Sequence, residues 1–271
     1  MIREAATDHM IQRDVALVLW RCAPPIRRNP TMTILPTGEL YLTPLQYDAL
    51  YARKPLPGIS LDIPVWDSAD PSPTVVRWHD AGLITGQVLD AGCGTGSNAV
   101  WLAQHNYQVT GFDAAPHALD IARTRANDDL PVRFTIADAI DLKLPTAYNT
   151  VIDSALYHCL TIEQRQVYIR ELHRVCRTDA RLLMTCVSEA LPTTLPGPFR
   201  ITRDELYATL PPAGWAITDI TPGVISVAFT LDLLRTVCAA INLPEPSGDE
   251  VAFSGGFAQF PAWEVVAERQ N

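Results

Sequence analysis

The chain has no surplus of basic residues: 21 Lys and Arg stand against 30 Asp and Glu, a formal net charge of −9. Nucleic-acid binders usually carry a basic face, so this balance points away from nucleic acid as a partner. Nor is there an apolar run near the roughly 18–20 residues that span a bilayer. The apolar stretch 15–20 is short and follows Glu4, Asp8 and Asp14, whereas a secretory signal wants a basic start. A cytoplasmic protein without a membrane partner is the expectation. Paired cysteine motifs are also missing. The six cysteines, at 22, 93, 159, 176, 186 and 238, form no Cys-x-x-Cys, and no His/Cys cluster has zinc-ligand spacing. Free, mostly buried thiols and no metal follow. Internal repeats and low-complexity tracts are absent as well.

What is present suits one large domain with an elaborated cap: 271 residues, 48% apolar and 19% charged. Residues 1–31 read as an N-terminal extension, because "CAPPIRRNP" would break any helix or strand and Met32 follows it. Residues 32–80 form an arm. Leu45, Ala49 and Ala52 have helical spacing, Pro55 stops that helix, and a proline-rich irregular stretch runs over 55–73. A helix over 75–81 then leads into a core at 81–271. There, short strands at 87–91, 107–114, 132–139, 148–156 and 181–190 alternate with helices at 97–106, 116–128 and 161–177. Pro116 opens one helix and Thr161 caps another. Strands apolar on both faces, alternating with helices, predict an α/β fold: a doubly wound, mostly parallel sheet. Beyond 190 the pattern loosens into a short helix at 202–210, one or two strands within 215–230 and a helix at 231–243. A Gly/Ser-rich loop at 247–256 and a final strand at 261–269 complete the chain.

The stretch "VLDAGCGTGSNAVWL", 88–102, carries the first chemical signal. A glycine-rich turn between a strand and a helix lets backbone approach a ligand that a Cβ atom would hold off. The dinucleotide fingerprint needs glycine at relative positions one, three and six. Gly92 and Gly94 fill the first two, but the sixth position is Ser97, which instead reads as the cap of the next helix. Asp113 ends the second strand 21 residues after Gly92, where a carboxylate can accept two ribose hydroxyls. Asp138 ends the third strand, where it can accept an adenine amino hydrogen.

Asp90-x-Gly92-x-Gly94-x-Gly96, then Asp113, then Asp138-Ala139, then "VIDSALYH" resembles the class I S-adenosylmethionine-dependent methyltransferases over about residues 60–225. The resemblance implies S-adenosyl-L-methionine as cofactor and a Rossmann-like sheet of seven strands whose last strand is antiparallel. It places Asp90, Gly92 and Gly94 around the methionine part, with Cys93 inside the turn. It puts Asp113 on the ribose, Ala114 beside the adenine, Asp138 on the adenine amino group and the Ala139 amide on a ring nitrogen. Asp153 and Ser154 would face the sulfonium side. "PVWDSADPSP" and "DSALYHCL" are similar to the small-molecule branch with the thiopurine and tellurite-resistance methyltransferases. In that branch a tryptophan such as Trp66 folds over the cofactor as a lid; Trp66 equally suits an anchor for the arm, and one residue can do both. The family usually has Pro-Gly-Gly where this chain has Thr178-Asp179-Ala180.

These residues predict methyl transfer to an O, S or N nucleophile of a small molecule by in-line displacement. His158 is the candidate base, since an imidazole titrates near neutrality, and Asp153 is a second catalytic candidate. Tyr157 and His158 would meet the acceptor, in a pocket between the 44–72 arm, "SALYHC" and inserts at about 190–203 and 229–258. Each has a structural alternative: His158 hydrogen-bonded in a turn, Tyr157 packed in the core, Cys159 buried and inert. Two other functions stay open here, a nicotinamide-dependent oxidoreductase and a non-catalytic binder of adenosylmethionine or adenosylhomocysteine. The missing glycine at 97 and the second acid, Asp138, count against the first. The sequence leaves the oligomeric state open.

Overall fold

Parallel strands need crossovers on the sheet faces, and the chain supplies them in sequence. The structure is a computed structural model that describes residues 33–34, 39–56 and 61–271. The N-terminal extension at 1–31 therefore lies outside the described residues, as does the "CAPPIRRNP" break. In the arm, β1 (Thr33–Ile34) pairs antiparallel with β2 (Leu40–Tyr41), and α1 (Pro44–Tyr51) follows. The helix α2 (Pro73–Asp80) leads into β3 (Gln87–Ala91), α3 (Ser97–Gln104), β4 (Gln108–Asp113), α4 (Pro116–Arg125) and β5 (Val132–Ile136). Then come β6 (Tyr148–Ser154), a 3-10 turn at Tyr157–Cys159, α5 (Ile162–Val175) and β7 (Cys176–Val187). The remainder is α6 (Arg203–Thr209), β8 (Trp215–Val227), α7 (Leu231–Ala240), β9 (Ala252–Ser254) and β10 (Phe257–Arg269).

The main sheet has the order β5-β4-β3-β6-β7-β10-β8, with β9 added against β10. Its pairs from β5 through β7 are parallel, and β10 runs antiparallel between β7 and β8. This is the Rossmann-like sheet with an antiparallel last strand that the motifs imply. From β3 the strands are laid down outward to β4 and β5, and the next, β6, returns to the other side of β3, so a crevice opens above the carboxyl ends of β3, β4 and β6 at this switch point. One face of the sheet buries Leu89, Val151, Leu182 and Met184 against α5 through Tyr168, Ile169 and Leu172. The other buries Val88, Val109, Ile152 and Leu183 against Val75 and Trp78 of α2 and Ala99 and Leu102 of α3. A further core joins Leu42, Leu50, Leu61 and Val65 of the arm to Leu191, Leu195, Leu234, Val237 and Phe260. The arm and both inserts thus share one apolar centre, which fixes them over the crevice.

Several boundaries differ from the sequence reading for physical reasons. Ser97 is the first helical residue of α3 rather than its cap; Gly96, at φ 81°, holds the cap position. The freed Ser97 hydroxyl donates to the Ser68 carbonyl and accepts from Arg125 Nη1 at 2.8 Å. Strand β7 starts five residues early, at Cys176, and runs through Thr178-Asp179-Ala180, with Asp179 taking a left-handed conformation at φ 61°. Residues 215–230 form one long strand, β8, and the 247–256 loop contains β9. In α1 the buried face is Gln46, Leu50 and Tyr51, while Leu45 is 79% exposed, so the face marked by Leu45, Ala49 and Ala52 is rotated from the packed one.

Candidate active site

The glycine turn forms the floor of the crevice. Gly92 and Gly94 have φ of 64° and 52°, a region that costs an L-residue about 1–2 kcal/mol. Space is equally restrictive: a Cβ on Gly92 would lie 2.9 Å from Leu156 Cβ, and one on Gly94 2.9 Å from the Tyr51 hydroxyl. Leu156 and Tyr51 thus pack directly against the turn backbone, and neither glycine position admits a side chain. Cys93 turns the other way; its Sγ sits 2.9 Å from where a Gly111 Cβ would be, and burial raises its thiol pKa. Its side chain is packed behind the turn, which leaves its backbone to face the crevice.

Asp90 ends β3 beneath this turn. Its carboxyl is buried, accepts a hydrogen bond from the Ala99 backbone N–H, and keeps Oδ2 without a partner. Burial raises its pKa to about 7, with the nearby Asp113 and Asp153 charges adding to the effect. A buried oxygen without a donor is costly, and the ammonium of an amino-acid ligand supplies one. Asp113 ends β4 beside it. Its Oδ2 accepts from Gly94 N at 2.9 Å and its Oδ1 from Ala115 N at 2.9 Å, and burial raises its pKa. Two oxygens offer about four lone-pair positions, so two hydroxyls can still be accepted. Ala114 follows, half-buried. Because Asp113 is in register with Ile136, Asp138 and the buried Ala139 lie one strand over. Asp138 is exposed, and its Oδ1 accepts from Ile140 N at 3.0 Å. An orphaned acid below bare glycines, a diol acceptor and an exposed carboxylate beyond fit the methionine, ribose and adenine of S-adenosylmethionine in that order.

The arm covers this floor. Trp66 Nε1 donates to the Tyr51 hydroxyl at 2.9 Å, the atom that approaches Gly94. Tyr47 meets the Trp66 ring edge-on at 5.4 Å, and its hydroxyl hydrogen-bonds Cys159. Tyr41 lies 6.2 Å from Phe199 of the insert. Half-buried rings of Phe199, Tyr41, Tyr47 and Trp66 thus run toward the glycine turn. Tyr47 and Tyr51 were not identified from the sequence. The proline stop after their helix was visible, but the side it packs was not.

The structure does not bring the catalytic candidates to the crevice as expected. Asp153 is buried: Oδ1 accepts from Leu156 N at 2.8 Å and Tyr157 N at 3.3 Å, and Oδ2 from the Tyr168 hydroxyl at 2.9 Å. Burial lifts its pKa to about 6. It braces the turn after β6, with both carboxyl oxygens already accepting hydrogen bonds. His158 is buried too, and its Nδ1 accepts from Val187 N at 2.9 Å. Burial drops its pKa to about 3, so the near-neutral imidazole of a base is not realised. Tyr157 is fully buried, its hydroxyl 2.6 Å from Thr209 Oγ1 and its ring beside the Arg165 guanidinium. It is a core residue and does not present a surface to an acceptor. Ser154 stays half-buried at the end of β6, before Ala155, which takes φ 82°.

Residues 88–179 match the methyltransferase domain family. Over 164 residues the chain is 30% identical to the 2-heptyl-1-hydroxyquinolin-4(1H)-one methyltransferase of Mycobacteroides abscessus, covering 59% of this chain and 71% of that protein. A solved structure from work on the conversion of a disulfide bond into a thioacetal group during echinomycin biosynthesis aligns with a TM-score of 0.68 at 29% identity. It covers 84% of this chain and 93% of that one. TehB from Haemophilus influenzae shares the fold at 18% identity and a TM-score of 0.55, over 74% of this chain and 62% of its own. The chain belongs to the class I S-adenosylmethionine-dependent methyltransferases. It is an enzyme, its cofactor is S-adenosylmethionine, and the oxidoreductase and non-catalytic alternatives find no support. No helix among the described residues is long and apolar enough to cross a membrane.

Proposed function

We infer that the protein transfers the methyl group to an O, S or N nucleophile of a flat, largely apolar small molecule. The observation that carries this is the run of half-buried rings, Phe199, Tyr41, Tyr47 and Trp66, ending at the cofactor turn. Aromatic walls hold planar rings through offset and edge-on contacts of about 0.5–1.5 kcal/mol each beyond area burial. The quinolinone methyltransferase relative acts, by its name, on a compound of this shape.

In this reading Asp90 takes the cofactor's ammonium, the backbone of Gly92, Cys93 and Gly94 its methionine part, and Asp113 its ribose. Ala114 flanks the adenine, with Asp138 and the Ala139 amide at its polar edge. Trp66 serves as lid and anchor together, since the bond to Tyr51 ties it above Gly94. Ser154 backs the methyl-bearing end. The bound cofactor supplies a methyl group on a positively charged sulfur, already a good leaving group. The protein's share is alignment and exclusion of water, for which well-oriented reactants recover about 7–11 kcal/mol of the barrier. A cytoplasmic setting fits the five thiols that stand unpaired among the described residues.

The test is transfer of a tritiated methyl group to a panel of small aromatic phenols, thiols and amines, with Asp113→Ala as control. Label should move to at least one flat acceptor and fall by two orders of magnitude or more in the variant. Undiminished transfer by Asp113→Ala would refute the cofactor assignment.

A further inference from the structure

A general base needs a free lone pair facing the acceptor and an affinity for protons near neutral pH. Around the post-β6 turn and the lid, the described side chains that could serve are already engaged. All three hydrogen bonds to Asp153 hold its carboxylate to the turn and to α5. His158 spends Nδ1 on the Val187 amide. Cys159 Sγ donates to the Ala155 carbonyl at 3.4 Å and meets the Tyr47 hydroxyl. Tyr51 accepts from Trp66, and Tyr157 is paired with Thr209. Burial compounds this occupancy: it pushes the Cys159 thiol up to about 12, raises Tyr47, Tyr51 and Tyr157, and holds His158 at about 3. Asp90 keeps a free oxygen, but that oxygen is buried beneath the glycine turn, on the side of the cofactor's ammonium.

We propose that the described residues offer the acceptor no general base and that the enzyme takes a nucleophile that is already ionised when it binds, a thiolate or an acidic aromatic hydroxyl that has lost its proton. This rests on the small-molecule reading above and narrows it to acidic acceptors. The nucleophile's lone pair forms the bond to the methyl carbon; the carbon–sulfur bond breaks and its electron pair stays on sulfur. An anion and a sulfonium cation become two neutral products, and no proton moves. A low-dielectric crevice favours that pairing, because attraction between opposite charges strengthens as water is excluded.

The test uses the full chain and a series of substituted phenols and thiophenols whose own acidities span the acid to the alkaline range. The rising limb of kcat/KM against pH should shift with each acceptor, falling about tenfold per pH unit below that acceptor's own pKa. Independently of turnover, 4-nitrophenol titrated into the complex with a non-transferable S-adenosylmethionine analogue that keeps a positive charge at the sulfonium position should show the phenolate absorbance band on binding. A limb fixed at one pH for every acceptor overturns the proposal, as does a limb that vanishes in Asp90→Asn. Binding of 4-nitrophenol as the neutral phenol overturns it, and so does label transfer confined to neutral amines. Failure of S-adenosylhomocysteine to bind by calorimetry would strike the cofactor assignment instead, so the two failures are separable.

Discussion

Asp90 illustrates how one carboxyl can weaken a fold and serve a ligand. Its pKa in the folded protein, about 7, lies above the ordinary 3.8 because burial disfavours the charge. The folded state therefore binds a proton that the unfolded chain has released, and the stability tied to it is present below about pH 4 and lost as pH rises toward 7. Asp90→Asn should raise the melting temperature of the ligand-free protein at pH 8, with a gain that shrinks as pH falls below about 6. The same variant should weaken S-adenosylhomocysteine binding at least tenfold by calorimetry, since the ammonium loses its counter-charge. Asp153 is buried like Asp90, but both of its carboxyl oxygens have donors. Tyr168→Phe removes the donor to Oδ2 and should cost about 1–3 kcal/mol in urea unfolding. These residues also mark how far a sequence can be read. Asp90 and Asp113 were legible because each sits where a strand ends beside the glycine turn, and backbone geometry alone aims such a side chain at the crevice. The direction of His158, Tyr157 and Asp153 was not legible, because it depends on a 3-10 turn and on Val187, Thr209 and Tyr168, all distant in sequence.

Among the elements, the parallel strands and their helices were readable, since apolar runs flanked by Pro116 at a helix start or Thr161 at a cap leave few alternatives. The arm was not. Its helix α1 buries a glutamine and exposes a leucine, so periodicity pointed to the wrong side and hid Tyr47 and Tyr51. What fixes α1 is tertiary: Asp48 pairs with His117 at the start of α4, with Nδ1 to Oδ2 at 2.8 Å, and Leu50 fills the core shared with the inserts. Leu50→Ala should therefore cost about 2–5 kcal/mol in denaturant unfolding. It should also raise the KM for the acceptor more than it weakens S-adenosylhomocysteine, because Leu50 supports the ring-lined wall and lies outside the floor.

At the scale of the whole molecule, a ligand that binds the native state alone adds stability by mass action. S-adenosylhomocysteine at 100 times its Kd should contribute about 2.7 kcal/mol, a thermal shift of about 5–10 °C for a chain of this size. Asp113→Ala should abolish the shift, while Leu50→Ala should keep it on a lower baseline. The segment 67–72 sets a further condition on this behaviour. Thr95 and Ser97 donate to Asp67 and to the Ser68 carbonyl, Asn98 accepts from Ser72 N at 2.8 Å, and Arg125 reaches Thr95, Ser97 and Ser68. The roof is thus riveted to the very loop that makes the floor. Any outward swing of the arm would have to break these bonds together. The Asp67 and Ser72 amides, bonded to the Pro64 carbonyl and to Asn98 Oδ1, should then exchange with deuterium more slowly than the exposed amides of 68–70.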